Sequence, residues 1–316
     1  MKRRNFLAAG GAVAASIALP ARAAYPERPV HYIIAFAPGG ESDIAARFQQ
    51  EVWRKKWSNE LIVESRAGAG GALAWSQLNH FAGDGYTIMG TNLPHIVLQP
   101  LEGNVQYTTE DITNVNFFNY TPDAIVVRNE SPFKTFQDFV AGAKARPGTL
   151  NLAGSGTNSA NHAAHARLNE AAKIKTVYVP FKGTGDLIAS LIGGHVDGAV
   201  SYSSLALAQK GKVRLLVNAT PTRLAYFPDV PTFRELGIDW VDGAYRGIGV
   251  PKSTPEDLRK RISDMFAEIN REPDFQRKMT EQGLELVDIT YDKMPAFMEE
   301  RRKAYMSSAK LLGLLK

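Results

Sequence analysis

Apolar positions recur along this chain in two alternating rhythms. Short runs at 30–37, 61–65 and 86–91 read as strands. Between 42 and 57, Ile44, Ala45, Phe48 and Val52 return at helical spacing, so one face of that segment is apolar. "DAIVVR" at 123–128 reads as another strand, and a helix near 135–145 stops at Arg146-Pro147-Gly148. A second strand series follows at 150–153, 176–180, 198–202 and 214–219. Strands separated by helices predict parallel sheets, and seeing the pattern twice predicts two α/β domains.

The last part of the chain is organised differently. "AYRGIGVPKS" at 244–253 is extended. Thr254-Pro255-Glu256-Asp257 then reads as a helix start, with a capping threonine, proline in the first turn and acids after it. Leu258, Ile262, Met265 and Ile269 form that helix's apolar face, and 291–315 is again helical. The chain shows no solenoid repeat and no low-complexity linker. Two domains without a linker predict that strands cross between them, forming a hinge over a cleft.

Composition narrows the class. With 316 residues, 44% hydrophobic and 22% charged, the chain is long enough for one large or two smaller globular domains. Its formal charge of +5 is concentrated at one end. Lys2, Arg3, Arg4 and Arg22 precede position 24, and the remainder holds 33 basic against 32 acidic residues. A nucleic-acid binder shows a clustered basic excess, and this chain does not. "MKRR", an apolar stretch and "ARA" at 21–23 together read as an export signal cleaved near Ala23. Arg3-Arg4-Asn5-Phe6-Leu7 also resembles a twin-arginine signal. The chain has no cysteine, hence no disulfide, no thiolate ligand and no lipid-anchoring cysteine. The expected product is an exported, periplasmic, monomeric protein.

Four turns join a strand to a helix through glycine or small polar residues: "PGGESD" (38–43), "GAGGALA" (68–74), "GSGTNSANH" (154–162) and "KGTGD" (182–186). A helix start leaves backbone N–H groups unpaired and carries partial positive charge. Glycine lets an anion come close to it without a lysine. Nucleotide readings fail, because the third glycine of GxGxxG is replaced by Leu73, Ser159 and Ile188, and no GxxxxGK[ST] loop occurs. "AGSGT" around Ser155 lacks the GxSxG elbow, and neither Ser155 nor Ser159 has an evident acid to orient His162 as a base. His162 and His165 could share a helix face with Glu170, yet a core role suits them better than a metal site. Phe117, Phe118 and Tyr120 read as core or cleft wall. Arg246, beside Tyr245 in the crossover segment, could pair with a ligand carboxylate or with a structural acid such as Asp242.

In order along the chain, "PGGESDIAAR", "VESRAGAGGALA", "GDGYTIMGTN", "VPFKGTGDLIASLIGGHVDGAVS", "PDVPTFRELG" and "GVPKSTPEDL" are similar to the solute receptors of tripartite tricarboxylate transporters, the Bug-type receptors. The resemblance spans roughly 29–260. It implies an α/β, two-lobed, type II periplasmic-binding-protein-like fold with a ligand cleft between two α/β domains. The expected lobes are 24–126 with 245–316, and 127–244, after a leader at 1–23. Family ligands are small carboxylates, including di- and tricarboxylates, amino acids and aromatic acids, and no cofactor is implied. The implied partner is a two-subunit membrane permease. Carried over by position, the first lobe would bind a carboxylate through Phe36, Pro38, Gly39 and Gly40, the Gly70, Gly71, Ala72 turn, and Thr91 with Asn92. The second lobe would close with Ser155, Gly156, Thr157, Asn158, Ser159, Gly183 and Thr184, with Asp197 and Ser201 near the cleft. Departures from the family pattern include the Gly70-Gly71-Ala72-Leu73-Ala74 turn, "QYTTEDI" at 106–112 and Tyr245-Arg246-Gly247 in place of a tryptophan before glycine. Arg246 there makes a second ligand carboxylate an expectation. Two other roles remain open at this stage: a sensory binding protein using the same closed form, and an exported enzyme using Ser155 or His162.

Overall fold

A computed structural model describes residues 25–315, so the leader expected at 1–23 lies outside the described residues. The first half of the chain runs β1 (Val30–Ile34), α1 (Glu41–Trp57), β2 (Leu61–Ser65), α2 (Ala72–Trp75), β3 (Thr87–Leu93), α3 (His95–Glu102), β4 (Thr113–Arg128), α4 (Phe136–Ala145) and β5 (Asn151–Ser155). It continues with α5 (Ala160–Ala172), β6 (Val177–Phe181), α6 (Thr184–Ile192), β7 (Gly198–Tyr202), α7 (Ser203–Ala208) and β8 (Val213–Asn218). The last elements are β9 (Gly243–Val250), α8 (Glu256–Asn270), α9 (Pro273–Glu281), β10 (Glu285–Ile289) and α10 (Met294–Leu311).

The strands lie in the order β2-β1-β3-β9-β4-β7-β5-β6, with β10 and β8 also pairing β4. Parallel pairing holds within β2-β1-β3 and within β6-β5-β7, as the alternation of strand and helix predicts. The strands joining the two halves are antiparallel. β4 serves both: Thr113 to Pro122 pair with β9, whereas Asp123 to Val126 pair with β7. The return crossing lies beside it, where the Asp123 N–H donates to the Asp242 carbonyl at 3.0 Å. The result is two lobes, each a sheet with helices on both faces.

Each sheet face buries its own apolar cluster. Tyr32, Trp53, Phe118 and Phe266 fill one side of the first lobe, and Trp75, Leu98, Phe117 and Tyr305 fill the other. Phe139, Phe233 and Trp240 lie on one face of the second lobe, and Leu187, Leu191 and Leu205 on the other. Each such side chain contributes roughly 1.5–3 kcal/mol on burial, so these clusters hold the frame against which the loops are set.

Three local features depart from the sequence expectations. β4 begins ten residues before "DAIVVR". Its first half buries Asn114, Asn116 and Asn119, which mask the apolar alternation, and two register shifts kink it. α9 and β10 occupy a stretch for which no element was predicted. Thr254 does not cap α8: its backbone N–H closes a turn on Pro251, its hydroxyl is buried without a partner, and Pro255 takes the cap position.

Candidate functional site

The carboxyl ends of β1 and β3 meet those of β5 and β7 across a small closed cavity. Phe36, Gly40, Glu41, Ser42, Asn92 and His95 line it from the first lobe, Ser155, Thr184 and Tyr202 from the second, and Arg246 from β9. Three helices of eight residues or more start at its wall: α1 at Glu41, α3 at His95 and α6 at Thr184. Their first turns direct unpaired N–H groups and partial positive charge toward the same space.

Arg246 is 3% exposed. It sits on β9 opposite Asn92 of β3, which fixes its side chain between the lobes. Nη1 donates to Asn119 Oδ1 at 3.1 Å and to Thr121 Oγ1 at 2.6 Å, while Nη2 lies 3.6 Å from Glu41 Oε2. The guanidinium carbon stands 5.0 Å from the centre of the Tyr202 ring, and Nε has no partner. The structural acid is therefore Glu41 and not Asp242, which pairs with Arg167 at 3.5 Å. Asp242 immediately precedes β9 and lies four residues before Arg246, about 13 Å along extended chain, too far for their side chains to meet.

Glu41 accepts from Ser204 Oγ at 3.1 Å, so a first-lobe carboxylate is held by a second-lobe hydroxyl. Ser42 Oγ accepts from Asn92 Nδ2 at 3.3 Å. The turn before α1 is tied down by Asp43, whose Oδ2 accepts from the Gly39 N–H at 3.0 Å and from Arg47 Nε at 3.1 Å. His95 packs edge-on to Phe36 and Trp75. Burial first, and the positive charge of Arg246 second, lower its pKa to about 3, so the ring is neutral at neutral pH.

The loops around the cavity meet backbone to backbone. A Cβ at Gly156, whose φ is +80°, would stand 2.5 Å from the Gly70 Cα. On the other side a Cβ at Gly185 would collide with the Pro38 carbonyl oxygen, and one at Gly183 would press on Phe36 and Ala37 at 3.2 Å. Polar contacts reinforce the first seam: Gln99 Nε2 donates to the Gly70 and Thr157 carbonyls at 2.9 and 3.4 Å, and Asn158 Nδ2 to Glu102 Oε2 at 2.5 Å. The structure is the closed form.

Of the residues expected at the site, Phe36, Gly40, Asn92, Ser155, Thr184 and Arg246 line the cavity. Pro38, Gly183, Gly70 and Gly156 belong to the two seams, whereas a Cβ at Gly39 would meet nothing within 4 Å. Gly71 packs under the Trp75 ring, while Ala72 and Thr157 line an open groove outside the first seam. Thr91 and Ser201 are buried beside the cavity with unpartnered hydroxyls. Asn158 and Ser159 shape the start of α5, where Ser159 Oγ accepts from the His162 N–H at 3.1 Å. Asp197 is a correction. It precedes β7, at the opposite end of the strand from Tyr202, and its carboxylate accepts from the Asn151 N–H at 2.8 Å. Ligands of parallel sheets gather at carboxyl ends, and Asp197 stands at an amino end.

The family model for TctC, the tripartite tricarboxylate transporter family receptor, matches residues 45–313. The chain belongs to this receptor family. It is 30% identical over 327 residues, covering 100% of itself and 99% of the other protein, to the Cupriavidus necator "UPF0065 protein in gbd 5'region". The structure of the periplasmic binding protein BugD superposes with a TM-score of 0.86 at 26% identity, covering 92% of this chain and 99% of that one. MatC from Rhodopseudomonas palustris with bound malate gives 0.83 at 27% identity, covering 90% and 100%. Receptors of this family are periplasmic solute-binding proteins and not enzymes. Among the described residues, no helix is long and apolar enough to cross a membrane.

The receptor's own geometry agrees with that class. Ser155 Oγ donates to Asn161 Oδ1 at 2.7 Å, and His162 Nδ1 accepts from the Asn158 N–H at 3.1 Å, so neither joins a nucleophile–base pair. His162 and His165 stack with Tyr178, a packing role. Sequence reasoning missed Glu41, Ser42, His95 and Tyr202. Glu41 and Ser42 stand inside the very turn singled out for its glycines, and an acid in a helix's first turn is so ordinary that it carried no signal.

Proposed function

We propose that this receptor captures a small carboxylate in the cavity between its lobes and hands it to a two-subunit membrane permease. One observation carries the reading: a buried arginine with an unpartnered Nε and the starts of three helices converge on one enclosed space. Hydrogen bonds to a charged group contribute about 1.5–3 kcal/mol each. Micromolar capture needs about 8 kcal/mol net, so a few such bonds must be supplemented by closure around the rest of the ligand. Bound malate in MatC supports a small carboxylate as the class of ligand.

The ligand would reach Arg246, the Gly40 turn, Asn92, Ser155 and Thr184, while Pro38, Gly70, Gly156 and Gly183 set the walls that meet on closure; Gly39 and Gly71 shape the turns behind them, and Thr91 lies buried beside the cavity. The lobes, exchanging chain near 126 and 244, would part by hinge motion at β4 and β9. The leader at 1–23, cleaved near Ala23 and exported by the twin-arginine or general route, would place the receptor in the periplasm.

The test is a thermal-shift series on residues 24–316, stripped of ligand by partial unfolding and dialysis, with mono-, di- and tricarboxylates, aminocarboxylates and phosphate. A ligand at 100 times its Kd adds about 2.7 kcal/mol, a rise of about 4 °C at this chain length. A carboxylate response supports the reading. Response to phosphate alone, or to nothing, overturns it.

A further inference from the structure

The cavity carries one fixed charge of each sign, and capture of a carboxylate uses only the positive one. Glu41 and Arg246 are both buried on its wall. Their nearest atoms are 3.6 Å apart, longer than the 2.7–2.9 Å of a direct charged hydrogen bond. The two groups form a loose buried ion pair on the cavity wall, without a direct charged hydrogen bond between them. Arg246 meets neutral oxygens through Nη1 and leaves Nε open, and Glu41 receives one hydroxyl from Ser204. The remaining titratable groups on the wall are neutral: burial keeps the Tyr202 phenol protonated and the His95 ring uncharged. His95 Nδ1, buried and unpartnered, is a further open polar atom on the same wall.

We propose that Glu41 is the specificity-determining residue of this cleft, receiving a cationic nitrogen of the ligand while Arg246 and the helix starts receive its carboxylate. The inference rests on the carboxylate-capture reading above and narrows it to small aminocarboxylates. A dicarboxylate would place three negative groups around one guanidinium among largely buried side chains, where like charges oppose one another strongly. A monocarboxylate would give Glu41 no new partner beside Ser204 and a guanidinium now shared with the ligand. A zwitterion gives each member of this ion pair a second partner of opposite sign and adds no net charge to the interior.

The experiment is isothermal titration calorimetry on the stripped receptor with two series of matched chain length: glutarate, 4-aminobutyrate and pentanoate, and succinate, β-alanine and butyrate. L-2-aminobutyrate and L-alanine serve as α-amino isomers. The wild type should bind an aminocarboxylate at least tenfold more tightly than the dicarboxylate of equal length. Glu41→Gln should erase or reverse that preference, and Glu41→Asp should keep it. Should Glu41→Gln not fold, as judged by circular dichroism, the wild-type ranking and the Ser204→Ala variant, expected to keep that ranking with all affinities lowered, decide the question. A wild type that prefers dicarboxylates, or a Glu41→Gln protein that changes all three classes by one factor, overturns the role of Glu41 and leaves the carboxylate reading standing. Silence across both series, with the thermal series also silent, overturns the carboxylate reading and this inference with it.

Discussion

Two arginine–carboxylate pairs of nearly equal length sit where the chain passes between lobes, and they live in different media. Arg246 and Glu41 approach to 3.6 Å with side chains 4% and 6% exposed, whereas Arg167 and Asp242 approach to 3.5 Å at 33% and 27%. The first pair is balanced, one charge against one, beside a neutral histidine. The second has a surplus of acid, because Asp123 is buried next to Asp242, and burial together with Asp242 raises the Asp123 pKa well above the usual carboxylate range. Equal distances therefore say little about worth. Burial and the local count of charges decide whether a pair holds the fold, recruits a ligand or responds to pH.

The sharpest way to break the comparison is to remove each arginine. Arg246→Leu leaves Glu41 buried and uncompensated, and should lose about 3–5 kcal/mol of unfolding free energy in urea titrations. Adding Glu41→Leu should restore most of that loss. A single variant as stable as wild type would mean that water reaches the cleft freely. Arg167→Gln, whose partners are screened by solvent, should cost under about 1 kcal/mol.

Acid should distinguish the regions next. His95 has a folded pKa of about 3 against 6.5 when exposed, so below pH 6.5 the unfolded chain binds the extra proton. Stability should fall from pH 6.5 toward 3, by about 4 kcal/mol over the full range, and His95→Gln should flatten that limb. Asp123 acts with the opposite sign. Its folded pKa is raised, so the folded state holds the proton more tightly, and its contribution is greatest below the usual carboxylate range and declines as pH climbs. Asp123→Asn should therefore stabilise the protein at pH 8 relative to wild type. A pH profile unmoved by either variant would erase the distinction drawn here.

Gly156→Ala tests the seam between the lobes. The new Cβ meets the Gly70 backbone and must also adopt a φ of +80°, which should cost about 1–3 kcal/mol and reduce ligand affinity by more than it reduces stability. Small-angle scattering of the ligand-loaded variant should show a wider particle than wild type.

Much of this frame was legible from residue spacing. The parallel strands β1, β2, β5, β6 and β7 and the helices α1 and α4 follow apolar periods that a short window detects. β4 was half hidden, because its buried asparagines break the alternation; the Asn119 amide is held by the Glu285 carbonyl, whereas the Asn116 amide is buried without a partner. At the site, the glycine turns stood out because backbone approach demands them. Glu41 and His95 did not, since their significance comes from burial against residues of other strands and helices. Asp197 was misplaced for a related reason: a motif locates a strand but not which of its ends opens on the cavity.

The contacts Gly70–Gly156 and Pro38–Gly185 put main chain against main chain on both flanks of the cleft. The Gln99 amide straps the first contact, and the main-chain atoms themselves set how near the jaws come. Such a clamp gauges what it holds. A guest that fits lets both flanks seat together, and one too long holds at least one flank ajar. The fully seated shape thus depends on the size of what is held as well as on its presence.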